Sequence, residues 1–290
     1  MPTPGSPTVR RRRLAVELRR LREADGRTGD EVAAALDWSP SKISRYELAR
    51  TGLKPAEVRK LLDVYGVTGH QRDQLLALAD EATQKGWWED YADALPAEYQ
   101  AFIGLEAEAR SVSHWHTEVV PGLLQTEEYA RQVHLGYQKV VPIPPSVVER
   151  RVKARLIRQQ LLVRDPPLEL SVVLDESVLF RRFGDRLTMR DQLGRLAAAS
   201  ELPNVTVQIL PLDMDHSIAA GSFVIFRFGD ERETTLHDVV STELLRSELH
   251  VEGEAETYQL RLAFERLAAE SLSPAESRDL VVRTARRLWA

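Results

Sequence analysis

From the N-terminus to about residue 82 the apolar positions fall three and four apart, the interval that lines one face of an α-helix. Leu14, Leu18 and Leu21 follow the run Arg10-Arg11-Arg12-Arg13, and Gly26 stands where a helix C-terminus wants glycine. Thr28 with Glu31 three residues on has the form of a capping box, opening a short helix whose inner face is Val32, Ala33 and Leu36. Asp37 and Trp38 form a turn, Ser39 a cap and Pro40 a first helical residue, so the chain re-enters a helix over Ser41 to Glu47. Ala33 and Ala34 leave room for these two helices to cross closely. Ile43 and Tyr46 point inward, which turns Ser41, Lys42, Ser44 and Arg45 outward. Pro55 to Val64 and Gln71 to Ala82 add two more helices, making a five-helix all-α domain.

Beyond residue 100 short β-rich runs enter. Helices are predicted over Ala101–Ser113, from Thr126 as cap through Val133, over Ser146–Leu162, Thr188–Ser200, Glu254–Ala268 and Pro274–Leu288. Strands are predicted over Leu168–Leu174, Val205–Leu212, Ser222–Phe228 and Asp238–Leu244. The fold class is α + β: an all-α domain over 1–69, a helical connector over 70–100, and a larger α+β domain with a small mixed sheet over 101–290. The connector holds Trp87 and Trp88 among Glu89, Asp90 and Asp93, acidic surroundings that favour a packing anchor over a base-stacking platform.

Charge then separates the two parts. The net charge is −5, but residues 1–64 carry 14 Lys and Arg against 9 Asp and Glu, and the remainder 25 against 35. An acidic remainder repels phosphate, which confines DNA contact to the N-terminal part. The absence of cysteine excludes disulfides, thiolate metal sites and thiol catalysis, and fits the cytoplasm. No segment has the ~20 apolar residues of a membrane span, and the first eight residues lack a signal-peptide core.

In a helix-turn-helix the outward residues of the second helix read base edges. Arg45 suits the O6/N7 edge of guanine, Ser41 and Ser44 are short enough to approach a base, and Lys42 suits a phosphate. Ser39, Thr28, Gly29, Arg50, Arg10 and Arg11 complete the candidate DNA-binding set. The residues Leu21-Arg22-Glu23-Ala24, Thr28 to Ala33 and Ser39 to Glu47 resemble the Cro/repressor (XRE) helix-turn-helix family. That resemblance implies a salt bridge between Arg22 of the first helix and Glu47 at the end of the recognition helix. It also exposes departures. Gly29 stands where many members have a phosphate-binding Gln and offers only its backbone N–H, Asp37 where Gly is common, and Pro40 where some have a base-reading Gln. Reading is therefore expected to shift onto Ser41, Ser44 and Arg45. Pairing of half-sites implies a homodimer on double-stranded DNA.

Gly104 to Ala109, Pro121 to Ala130, Leu174-Asp175-Glu176 and Leu272 to Ser277 resemble an actinobacterial group in which a second domain of unknown function, DUF5753-like, follows an XRE domain: the Scr1-family or WhiJ-like regulators. This resemblance implies control of development or specialised metabolism, with a small antitoxin-like partner protein encoded nearby. The alternative is a repressor whose second domain senses a small-molecule effector, with the loop Asp213–Gly221 bordering the pocket. Catalysis finds no support. His114 and His116 have no third ligand and are read as surface or hydrogen-bonded, Asp213, Asp215 and His216 lack a metal-site spacing, and Asp175-Glu176 reads as a strand-to-helix cap. No metal or cofactor is expected. Arg150, Arg151, Lys153, Arg155 and Arg158 are read as a solvated face with acidic neighbours, in preference to a second DNA-binding surface, beside the inner stripe Val148, Val152, Leu156 and Leu161.

Overall fold

The computed structural model describes residues 7–49, 51–214, 216–229, 238–243, 248–251 and 253–290. The chain divides into two compact units between Glu89 and Asp90. The first is helical: α1 (Pro7–Ala24), α2 (Gly29–Leu36), α3 (Pro40–Glu47), α4 (Pro55–Val64) and α5 (Gly69–Glu81). The four arginines are inside α1, whose end turns at Gly26 with a φ of +73°, a conformation glycine adopts without a Cβ clash. The capping box of α2 is complete: the Glu31 N–H donates to Thr28 Oγ1 at 3.3 Å and the Thr28 N–H to Glu31 Oε2 at 2.8 Å. Asp37 takes the left-handed conformation, φ 54°, and turns the chain into α3. Ser39 precedes α3 without capping it, because its Oγ sits 3.1 Å from Ser41 Oγ instead of reaching a backbone N–H. Ala33 is buried at the helix crossing, whereas Ala34 is exposed and gives the crossing no room. Leu14, Leu18, Val32, Ile43, Val58 and Leu62 form the core of this unit.

The second unit contains α6 (Ala97–Glu108), β1 (Ser111–His116), α7 (Glu127–Tyr137), α8 (Pro145–Arg158), β2 (Glu169–Asp175), α9 (Arg186–Ala199), β3 (Val205–Leu210), β4 (Phe223–Arg227), β5 (Val239–Glu243), β6 (Glu248–Val251), α10 (Glu254–Glu270) and α11 (Pro274–Leu288). Its described strands form one mixed sheet in the order β3-β2-β1-β4-β5-β6, parallel from β3 through β1 and antiparallel from β1 through β6. The unit is therefore α+β, with a six-stranded mixed sheet. Two strands lie outside the sequence-based expectation. The helix expected through Ser113 stops at Glu108, and Ser111–His116 becomes a central strand; β6 was also not expected.

β1 pairs on both sides, with β2 and with β4, so its alternate side chains face two covered layers. Trp115 joins Val173, Ile225, Val240 and the α10 residues Phe264 and Leu267 in a core cluster, and its indole N–H donates to Ala220 O. On the other face, Phe102 of α6 meets Phe226 edge to face at 5.1 Å. Fully buried Gln192 of α9 accepts from the Thr126 N–H and donates to Leu124 O, both at 2.8 Å, which secures the turn leading into α7. No described helix is long and apolar enough to cross a membrane.

Candidate functional site

The outer face of α3 is the first candidate. Ile43 and Tyr46 are buried, and Tyr46 packs edge to face on Trp38 at 6.0 Å, which fixes the rotation of the helix. Ser41, Ser44 and Arg45 are then exposed together, and Leu48, half-exposed at the helix end, continues their stripe. Arg45 makes no hydrogen bond or ion pair among the described residues, so its five donors remain available. Leu48 was not expected from sequence; its signal was an apolar residue on the polar side of the helix period.

The base of α3 is clamped to α1. Arg22 Nε donates to Glu47 Oε1 at 2.7 Å and Arg22 Nη2 to Glu47 Oε2 at 2.9 Å, and Arg22 Nη1 reaches Arg27 O at 2.8 Å. The hydrogen bond it donates to Glu47, working against burial, raises the Arg22 pKa above its ordinary value. This two-pronged pair holds the recognition helix at a set angle.

The other residues of the DNA-binding set are placed differently. Lys42 is engaged within the bundle, its Nζ 2.9 Å from Glu57 and 3.9 Å from the centre of the Trp38 ring. Arg10 pairs with Glu81 of α5 at 3.4 Å, and Arg11 lies beside Gly52, where an added Cβ would meet its Nε at 3.1 Å. At the start of α2, the Thr28 hydroxyl and N–H both donate to Glu31 Oε2, at 2.9 and 2.8 Å, so Thr28 is engaged in the cap. Ser39 is exposed next to Ser41, and Arg50 lies outside the described residues.

A family model described as a helix-turn-helix domain matches residues 13–75, and one described as a domain of unknown function (DUF5753) matches residues 99–283. The chain belongs to the DUF5753 family. No curated protein and no solved structure matches it. The helix-turn-helix match and the face of α3 point together to a DNA-binding regulator.

The DUF5753 domain holds a second candidate, a cavity of about 370 Å³. It lies against the sheet face that carries His114, His116 and Val224, and is enclosed by α6, α7, α8 and the turn Val119–Gln125. The loop expected to border a pocket, Asp213–Gly221, contributes none of its lining. The basic helix is a solvated face only in part, since Lys153 is exposed and Arg150 pairs at the surface with Asp93 at 2.7 Å. Arg151, Arg155 and Arg158 recur at i, i+4 and i+7 of α8, within the same arc as Val148 and Val152, and all three line the cavity. Glu149 and Lys153 occupy the solvent side.

Each guanidinium is held. Arg158 is buried in a bidentate pair with buried Glu106, 2.7 Å for both Nε–Oε2 and Nη2–Oε1, and also donates to the Tyr99 hydroxyl. Burial opposes its charge, but Glu106 and Tyr99 outweigh burial and raise its pKa. Arg155 Nη1 donates to Gln125 Oε1 at 2.7 Å, and Arg151 Nε to Ala94 O at 2.8 Å. His114 and His116 stack with Nδ1 and Nε2 3.2 Å apart, and neither is a free surface residue. Burial pushes His114 well below its ordinary pKa and His116 to about 4, so both are neutral near pH 7. Among the described residues no three His, Cys, Asp or Glu side chains gather to hold a metal. His216 instead meets Pro211 O at 2.8 Å, Asp215 lies outside the described residues, and Asp175 caps the following turn by accepting from the Ser177 N–H at 2.9 Å.

Proposed function

We propose that this protein is a sequence-specific transcriptional regulator that reads double-stranded DNA through α3, with Arg45 on a guanine edge and Ser41 and Ser44 approaching neighbouring bases. The observation that carries this is the outer face of α3: unpartnered Arg45 between small polar residues, opposite the buried pair Ile43 and Tyr46. Leu48 adds an apolar contact suited to a thymine methyl. Arg10 and Lys42 are paired within the bundle, and we give them and Arg11 supporting phosphate roles, along with Ser39, Thr28, Gly29 and Arg50. One recognition helix covers too few base pairs to address a unique site, so the protein acts as a homodimer on an inverted repeat with half-sites ~34–36 Å apart. A regulator of this kind works in the cytoplasm, on the nucleoid.

The likeness of the segments around Gly104, Pro121 and Leu272 to Scr1-family or WhiJ-like regulators supports a role in development or specialised metabolism, with a small antitoxin-like partner protein acting on the DUF5753 domain. The cavity favours a second reading of that domain as a sensor for a small molecule.

Chromatin pulldown with sequencing, followed by anisotropy titration on the enriched site, tests the DNA reading. An inverted repeat is expected, and Arg45→Ala should weaken specific binding by roughly 5- to 150-fold while leaving non-specific binding nearly unchanged. Lys42→Ala should cost less, since Glu57 already takes its charge. An Arg45→Ala protein with full affinity and unchanged sequence preference removes Arg45 from the reading set.

A further inference from the structure

We propose that the cavity of the DUF5753 domain binds a small amphipathic monocarboxylate, with Arg151 and Arg155 on the carboxylate and the apolar body against Phe102, Val133 and Ile143. The inference rests on the reading of the second unit as the regulatory part and names the ligand class for it.

Three observations lead here. First, two like charges stand one helical turn apart on the same face, a destabilising arrangement unless something lies between them. Arg158 has Glu106, but Arg151 and Arg155 have no carboxylate partner among the described residues. Burial opposes the Arg151 charge; Tyr99 favours it, and Arg155 adds to the penalty. An anion bridging the pair relieves both effects. Second, the guanidiniums are preorganised. Arg151 is tied by Nε to Ala94 O, leaving its outer nitrogens without a hydrogen bond among the described residues. Arg155 is tied by Nη1 to Gln125, which is itself buried and anchored to Val120 O at 2.7 Å; the Arg155 Nε is buried with no partner. Groups fixed before binding lose little freedom on binding.

Third, the remaining polar atoms are buried and unused. His134 on α7 and His114 on β1 are at least nine-tenths buried and line the cavity, and the Nε2 of each finds no partner among the described residues. Polar atoms buried in this way await a ligand group or water. The other walls are aromatic and aliphatic, and at about 370 Å³ the space falls within the ~300–1,000 Å³ of small-molecule sites. Charge sets the ligand class. The lining carries Arg151, Arg155 and Arg158 against Glu98, which is exposed at the rim and touches none of them, while Glu106 behind the wall pairs with Arg158, so the net charge around the space is one positive. That balance matches a carboxylate and not the −1.5 to −2 of a phosphate monoester.

The test is isothermal titration and thermal shift of the full chain without DNA, so that failure leaves the helix-turn-helix reading standing. The probes are 4-phenylbutyrate, indole-3-acetate and octanoate, each beside its primary amide, with phenyl phosphate as a dianion. At least one acid should bind saturably, its amide at least about tenfold more weakly. Arg151→Gln and Arg155→Gln should each weaken the acid by about ten- to a hundredfold and leave the amide alone. If a variant does not fold, the acid–amide comparison on the wild-type chain decides. Equal binding of acids and amides, no binding by any of the acids, tighter binding of phenyl phosphate, or acid binding that survives both substitutions overturns the proposal.

Discussion

Replacing Glu106 by glutamine keeps the shape of the side chain and removes one charge from the most deeply buried ion pair of the second unit. Glu106 is fully inaccessible and Arg158 is 4% exposed. The variant leaves the guanidinium without its counter-charge, retaining one amide oxygen as acceptor, the Tyr99 hydroxyl and the faces of Tyr99 and Phe102, 5.3 and 5.1 Å from it, and sets an NH2 donor against the other guanidinium N–H. Breaking a buried pair from one side costs about 3–5 kcal/mol, a large part of the ~5–15 kcal/mol that holds a domain folded. For a unit of this size each kcal/mol moves the melting temperature by about 2–4 °C, so a fall of roughly 6–20 °C is expected. Differential scanning calorimetry of the full chain reads it directly. The control is Glu106→Leu with Arg158→Met, which replaces the pair by apolar groups and should recover most of the loss, because the pair's attraction largely offsets its own desolvation. A Glu106→Gln protein melting within about 2 °C of the wild type, or a double variant as unstable as the single one, refutes the reasoning.

Glu47→Ala should loosen the angle of α3, costing about 1–3 kcal/mol of local stability, seen as faster amide exchange in α3 and weaker DNA binding with Arg45 intact; unchanged exchange in α3 counts against the clamp. Gln192→Leu should cost about 2–4 kcal/mol in urea melts, since the Thr126 N–H and Leu124 carbonyl lose their buried partner; a cost below 1 kcal/mol would mean water replaces the amide. Acid should destabilise the second unit early. Burial, reinforced by Arg155 and Arg151, pushes His134 down to about 2, so below the unfolded value near 6.5 the unfolded chain binds the extra proton and stability falls with pH. His134→Gln should reduce the slope between pH 6 and 5 by about 1.2 kcal/mol per pH unit; a slope unaltered by the substitution contradicts the burial of a neutral ring.

Much of the first unit was legible because its signals are local. Thr28 and Glu31 declare a helix start three residues apart, and Ile43 with Tyr46 sets which side of α3 is left outside. The position of Lys42 was not legible, because its partner Glu57 comes from the next helix. In the second unit β1 was hidden by its own chemistry. Ser111, Ser113, His114 and His116 are polar yet mostly buried, so the strand lacks the alternation of one wet face and one dry face on which sequence reading depends. The arginines of α8 were misread for a related reason. A run of charge ordinarily faces water, and the residue that reverses this for Arg158 is Glu106, 52 positions away in the chain. The wheel position of Arg151, Arg155 and Arg158, inside the Val148–Val152 arc, was the signal available.

The alternation along β1 has an implication for how this family can diverge. Trp115 answers to the core shared with α10, while His114 and His116, its immediate neighbours, answer to the cavity. Substitution at one set need not disturb the other, so a lineage can retune what the cavity admits without renegotiating the stability of the sheet. Insertion or deletion of a single residue has no such freedom, since it would exchange the two sets and put imidazoles in the core and the indole in the cavity.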